Sequence, residues 1–277
     1  MSFSAEVRDE LARCEPKCEY CDLATLAALV RVCGTLSFAG PGRYRLQIAT
    51  ETGAVARTMI GLTHKILKLK TEFTVRKSVL HKVRNYLIAL PDQPDLGKAL
   101  VLLGILDRHG ALVRGVPHHV VARDCCRLAY IRGALIAGGF VADPKGDFHL
   151  EIAVQGEEFA RGLAGLIGEL GINARVNPRR ASFAVYIKSA DDIKKLLTLA
   201  GASRCVAEIE EARAVKSVKN EVNRRVNAEL ANQTRSAGAA QRQMELIGEL
   251  EHLGLREGLP QALEDFCLLR ETNPDCL

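Results

Sequence analysis

The chain has 277 residues, 48% hydrophobic and 26% charged, proportions of a folded protein that exclude wholesale disorder. Its longest apolar run, Ala99 to Leu106, falls well short of the roughly 18 residues a bilayer span needs. The opening Ser2-Phe3-Ser4-Ala5-Glu6-Val7-Arg8-Asp9-Glu10 puts charges where a signal peptide has its apolar centre, so a cytoplasmic location is expected. Nine cysteines, an odd number, are then expected as reduced thiols rather than a disulfide framework.

A first helical segment is expected over residues 1–20. Next comes an internal repeat. Cys21 to Gly34 aligns with Cys126 to Gly139, with Cys21/Cys126, Leu23/Leu128, Ala24/Ala129 and Gly34/Gly139 in register. Tyr44–Thr50 then matches Phe148–Val154, both alternating apolar and polar residues as a one-side-covered strand does. An amphipathic helix follows in each half (Gly53–Leu69 and Glu157–Leu170). Two strands come next (Glu72–Lys77 and Arg84–Leu90; Ile172–Asn177 and Ser182–Lys188). A closing helix ends each half (Asp95–Asp107 and Ala190–Ala200). Ser189 with Asp192 reads as a capping box on the last of these, with Asp191 and Asp192 in its first turn.

The fold class is therefore α+β: a duplicated αββαββα body with pseudo-two-fold symmetry, followed by a small all-α region. Its halves are 21–108 and 125–203, joined by a linker over 109–124. The first helix of each half is lined with small residues: Ala24, Ala27, Ala28 and Gly34 in one, Gly133, Ala134, Ala137, Gly138 and Gly139 in the other. Such helices can approach backbone to backbone, which offsets the roughly 1 kcal/mol propensity cost of each glycine.

Two small-residue helices, each opening an αββαββα half, resemble the paired LAGLIDADG helices of monomeric homing endonucleases. The motif falls on Leu26–Gly34 and Ile131–Gly139. The more literal string Leu163–Gly171 is the outer, second helix of its half. The resemblance implies a metal-binding acid at motif position eight, and this sequence has Cys33 and Gly138 there. Neither offers a hard oxygen ligand for Mg²⁺, so no catalytic residue is expected.

Three longer stretches, SFSAEVRDELAR, CCRLAYIRGALIAGG and VKSVKNEVNRRVNAELANQTRSAGAAQRQ, resemble the WhiA family of sporulation and cell-division regulators of Gram-positive bacteria. That resemblance implies a degenerate LAGLIDADG-like body (21–203), a basic helical linker (204–234) and a helix-turn-helix region (235–277). It also implies promoter DNA as partner, with another transcription regulator or RNA polymerase as protein partner, and a nucleoid-associated protein. In the last region a helix from Ser236 to Leu253 and a second over Gln261–Arg270 are expected. The recognition helix that family members carry further on is expected to be missing, leaving the reader of base edges incomplete by that expectation.

Charge supports DNA contact. Between Ala212 and Arg242 seven basic residues face two acidic ones, a surplus equal to the net +5 of the whole chain. The candidate phosphate- and base-contacting residues are Arg213, Lys216, Lys219, Asn220, Asn223, Arg224, Arg225, Arg235 and Arg242. A charged, solvated linker face would look similar. Polar strand faces (Arg43, Arg45, Gln47, Thr74, Arg76, Arg175, Asn177, Arg179, Ser182, Tyr186, Lys188) could form the DNA saddle of the nuclease fold, but His149 and Glu151 interrupt their basic character, and an ordinary solvated sheet face is favoured.

Cys14-x3-Cys18-x2-Cys21 has zinc-like spacing. No fourth ligand is adjacent, and Cys21, Cys125 and Cys126 read as small packed residues. Pro117-His118-His119 has no partner acid. No metal, cofactor or small-molecule substrate is therefore expected. The reading is a DNA-binding transcription regulator; the alternatives are a protein-interaction module without specific DNA binding and a metal-dependent endonuclease.

Overall fold

A computed structural model describes residues 2–40, 42–77 and 84–273, which divide into two compact units, Met1–Ala212 and Arg213–Leu277. In the first unit, α1 (Phe3–Leu11) precedes two similar halves. The first half contains α2 (Cys21–Cys33), β1 (Gly34–Gly40), β2 (Arg43–Thr50), α3 (Gly53–Leu62), β3 (Glu72–Lys77), β4 (Arg84–Leu90) and α4 (Leu96–Leu102). The second contains α5 (Asp124–Gly138), β5 (Gly139–Val141), β6 (Leu150–Val154), α6 (Glu157–Gly168), β7 (Arg175–Pro178), β8 (Phe183–Ile187) and α7 (Ala190–Ala200). Both sheets are antiparallel with the same order, β1-β2-β4-β3 and β5-β6-β8-β7. The duplication seen in the sequence is thus a duplication of topology.

Several expected bounds shift for local reasons. The segment expected as helix over 1–20 is helical only from Phe3 to Leu11, and residues 12–20 turn toward α2. α3 continues as a π-helical turn over Thr63–Leu67 and stops where Lys68 adopts a left-handed φ of 53°. α4 ends at Leu102, because the chain turns at Gly104, whose φ of 67° suits glycine.

The helix-to-strand junctions explain one repeated glycine pair. Gly34 and Gly139 cap α2 and α5 with extended backbone, so each strand starts without a connecting residue. A Cβ on Gly34 would lie 2.3 Å from the Val30 carbonyl oxygen, and one on Gly139 would lie 2.4 Å from that of Leu135. Only glycine permits so abrupt an exit.

The core lies between the sheets' covered faces and the helices. α6 buries Phe159, Ala160, Leu163, Leu166 and Ile167, and α7 buries Ile193, Leu196, Leu197 and Ala200, both at helical spacing. On α7, Ser189 Oγ accepts the Asp192 N–H as the expected cap. α8 (Ser203–His252) starts in the first unit, where the Glu10 carboxylate of α1 accepts the N–H groups of Arg204 (2.7 Å) and Cys205 (3.1 Å). Burial pushes the Glu10 pKa up, but the hydrogen bond with the Cys205 side chain and those two N–H groups outweigh it, and the net shift is downward.

Because the folded-state pKa is depressed, this cap stabilises above the ordinary glutamate value of about 4.3 and weakens as pH falls through the lower folded-state value. Glu10→Gln should therefore cost about 1 kcal/mol at neutral pH. Urea denaturation across a pH series checks this: the gap between variant and wild type should close in acid, and a pH-independent gap would contradict the capping role.

Candidate nucleic-acid interface

α2 and α5 pair along the seam between the halves. Ala24, Ala27, Ala28, Ala129 and Ala134 are all at most 1% exposed. The Thr25 hydroxyl lies 3.2 Å from the Ala129 carbonyl oxygen across the seam. A Cβ at Gly133 would sit 2.5 Å from the Thr25 carbonyl oxygen and 2.9 Å from the Ala28 Cβ. The helices touch backbone to backbone, as the small residues suggested.

At the far end of these helices stand Cys33 and Gly138. The Cys33 thiol donates to the Leu29 carbonyl at 3.0 Å, and burial pushes its pKa up to about 12, so it stays neutral. A side chain on Gly138 would meet the Ala153 carbonyl oxygen at 2.6 Å and Val32 Cγ1 at 2.7 Å. An aspartate would not fit there without moving β6. The two positions that could hold Mg²⁺ in the nuclease register thus carry a neutral thiol and a closed space.

At the opposite end, where α2 and α5 begin, the sulfurs of Cys18, Cys21, Cys125 and Cys126 all lie within 4.8 Å of one another. Cys18 Sγ is 3.4 Å from Cys21 Sγ, 3.5 Å from that of Cys125 and 3.7 Å from that of Cys126. Cys14 is not part of this group; its sulfur faces the Ala200 and Gly201 carbonyls. The sequence spacing pointed to Cys14, Cys18 and Cys21, whereas the fold replaces Cys14 with the Cys125-Cys126 pair. The packing read for Cys21 and Cys126 holds in part, since both are buried.

The second unit holds the rest of α8, a 3₁₀ turn (Arg256–Gly258) and α9 (Gln261–Thr272). The basic linker and the helix expected from Ser236 are one uninterrupted helix. Ala240, Ile247 and Cys267 are the second unit's buried apolar residues among those described. Arg256 clamps the turn, donating to both Glu271 oxygens at 2.7 and 2.6 Å and pairing with Glu251. The final four residues of the expected 235–277 region lie outside the described residues.

Helical continuity decides which candidates share a face. Each residue advances about 100° around the axis. Arg213, Arg224, Arg235 and Arg242 then fall within roughly 40° of one another, along about 44 Å of helix. Lys216, Asn220 and Asn223 widen the stripe on one side. Lys219 and Arg225 do not join it: Lys219 falls beside the exposed Val215, Val222 and Val226, and Arg225 turns toward Glu221 at 3.6 Å. The set Arg213, Lys216 and Lys219, adjacent in sequence, spirals across the helix. The eleven-residue spacing of Arg213, Arg224 and Arg235 was the signal for the common face, because eleven residues make just over three turns.

The strand faces offer less free charge. Arg43 is bonded to Asp92 at 2.6 Å, Arg45 lies 3.8 Å from Glu72, and Glu151 accepts from both Arg179 (2.6 Å) and His149 (3.1 Å). These acids compete with phosphate for the same cations. Asp191 and Asp192 sit in the first turn of α7, and His119 pairs with the Leu102 carbonyl. No helix of the described residues is long and apolar enough to cross a membrane.

Comparison with known proteins matches three family profiles along the chain. They are the WhiA N-terminal LAGLIDADG-like domain over residues 19–106, the WhiA LAGLIDADG-like domain over 127–219, and the WhiA C-terminal HTH domain over 222–276. A relative named probable cell division protein WhiA, from Desulfitobacterium hafniense (strain Y51), is 39% identical over 276 residues, covering 99% of this chain and 86% of its own. The crystal structure of full-length WhiA from Thermotoga maritima superposes with a TM-score of 0.67 at 24% identity, covering 100% of this chain and 88% of that one. The isolated N-terminal LAGLIDADG domain of a WhiA protein gives a TM-score of 0.57 at 22% identity, covering 72% of this chain and 90% of that one.

Proposed function

The chain belongs to the WhiA family, and from that premise we propose that it is a DNA-binding transcription regulator whose LAGLIDADG-like body does not cut DNA. The observation that carries this reading is the arginine stripe of α8: Arg224, Arg235 and Arg242 lie within the segment that matches the family's helix-turn-helix profile, and Arg213 near the end of the preceding LAGLIDADG-like match. Four guanidiniums on one exposed helix face can displace condensed counterions and bond phosphates, which fixes the protein on duplex DNA. The relatives' naming as probable cell division proteins supports promoters of division, chromosome-segregation or sporulation genes as targets. Such a protein works in the cytoplasm at the nucleoid.

The opposite side of α8 supports a protein partner as well. Val215, Val218, Val222, Val226 and Leu230 lie there, each about half exposed. Another transcription regulator or RNA polymerase fits a surface that is basic on one side and apolar on the other.

Two measurements test the proposal. Affinity for duplex DNA should fall steeply with salt, with a log–log slope of about −3.6 if the four stripe arginines each engage a phosphate. A slope near zero would count against DNA contact by this helix. Supercoiled plasmid incubated with the protein and Mg²⁺ or Mn²⁺ should stay intact. Metal-dependent nicking would revive the endonuclease reading and refute the argument from Cys33 and Gly138.

A further inference from the structure

We propose that Cys18, Cys21, Cys125 and Cys126 form a structural zinc site that ties the first turns of α2 and α5 together across the seam. The four sulfurs cluster around one centre. A tetrahedral zinc with sulfur ligands at about 2.3 Å requires sulfurs about 3.8 Å apart. The distances from Cys18 to the other three, 3.4, 3.5 and 3.7 Å, approach that edge length, and all six pairs stay within 4.8 Å. A metal needs only small adjustments to draw the four together.

Packing alone does not account for the cluster. It explains Cys21 and Cys126, which are buried. Cys18 and Cys125 also pack against the core, but packing does not require Cys18, which comes from outside any helix, to bring its sulfur up to all three others. Disulfide bonding is a different geometry, since an S–S bond needs about 2.05 Å and these cysteines are free thiols.

The surroundings suit a tetrathiolate. Four thiolates around Zn²⁺ carry a net charge of −2, and the site lies in the first turns of α2 and α5, whose N-terminal N–H groups favour negative charge. Arg123, the N-cap residue of α5, stacks over the Tyr20 ring at 4.6 Å beside the cluster. A cleft of about 180 Å³ lined by Tyr20, Leu23, Arg123 and Cys126 gives an ion a way in. Three ligands come from the first turns of the paired helices and Cys18 from the segment before α2, so loading the site links the two halves at their seam. Binding would release the four thiol protons.

The test uses the full chain, purified under reducing conditions without a metal-affinity step. Elemental analysis should find one zinc per chain. Replacement by Co²⁺ should give the sulfur-to-cobalt charge-transfer and red d–d bands of a tetrahedral thiolate site. Cys14→Ser should keep the metal, and Cys18→Ser and Cys126→Ser should lose it. In case those variants fold poorly, alkylation of the wild type with and without zinc provides a second measurement. Zinc should protect the four cluster cysteines and leave Cys14 and Cys267 as reactive as before. Absence of stoichiometric zinc and of cobalt thiolate bands, retention of metal in the Cys18→Ser and Cys126→Ser variants, or alkylation unaffected by zinc would each overturn the proposal.

Discussion

Gly133→Ala is expected to destabilise the first unit by about 1–3 kcal/mol, because the added methyl cannot avoid backbone on the partner helix. Its Cβ would lie 2.5 Å from the Thr25 carbonyl oxygen and 3.1 Å from the Thr25 Cα, atoms that move only if α2 moves. For a domain of this size each kcal/mol lowers Tm by about 2–4 °C. Alanine also gains up to about 1 kcal/mol of helix propensity over glycine, so any net loss understates the clash. Gly165→Ala on α6 is the matched control: a Cβ there meets nothing within 4 Å, and the change should be neutral or stabilising. Thermal melts of the two variants separate seam packing from propensity. A Gly133→Ala protein as stable as Gly165→Ala would mean that the helices are not in backbone contact.

Removing Arg224, Arg235 and Arg242 together, each to alanine, should weaken duplex binding on the order of 10²-fold at physiological salt. The salt slope should flatten by about 2.7, close to 0.9 per lost phosphate contact. All three are exposed on α8, where alanine is an excellent helix former, so helicity by circular dichroism should not fall. Lys219→Ala with Arg225→Ala removes two charges of the same segment from outside the stripe and should flatten the slope less per residue. Fluorescence anisotropy over a salt series reads both. Equal losses per charge in the two variants would show that net charge, and not the common face, governs binding.

Much of the body was legible in the sequence because duplication leaves a mark that single elements do not. The register Cys21/Cys126 to Gly34/Gly139 located both central helices, and strand alternation placed β2 and β6 within a residue or two. The junction glycines could be seen to recur, but the reason, a strand starting on the residue directly after the helix, needed the backbone. The absence of an acid at Cys33 and Gly138 was legible. That Gly138 has no room for one was not, because the blocking carbonyl belongs to Ala153 on a strand fifteen residues away.

The cysteine cluster and the common face of the arginines were not legible for the same reason: both join residues that are not neighbours in sequence. A pseudo-two-fold axis brings equivalent positions on paired helices together, so the equivalence of Cys21 and Cys126 already implied that their sulfurs approach. Reading it only as a sign of small packed residues discarded that implication, and a search for an adjacent fourth ligand could not find Cys125 and Cys126, more than a hundred residues on. On α8, the basic candidates were read as one segment, without the face that each would take. The single helix from Ser203 to His252 makes residues eleven apart better neighbours.

Hydrogen exchange of the full chain, with and without duplex DNA at low salt, tests the division of labour between body and helix most directly. DNA should slow exchange along α8 from Arg213 to Arg242 and leave β1–β8 unchanged. Protection of the strands with α8 unaffected would place the DNA on the nuclease-like saddle and contradict this account.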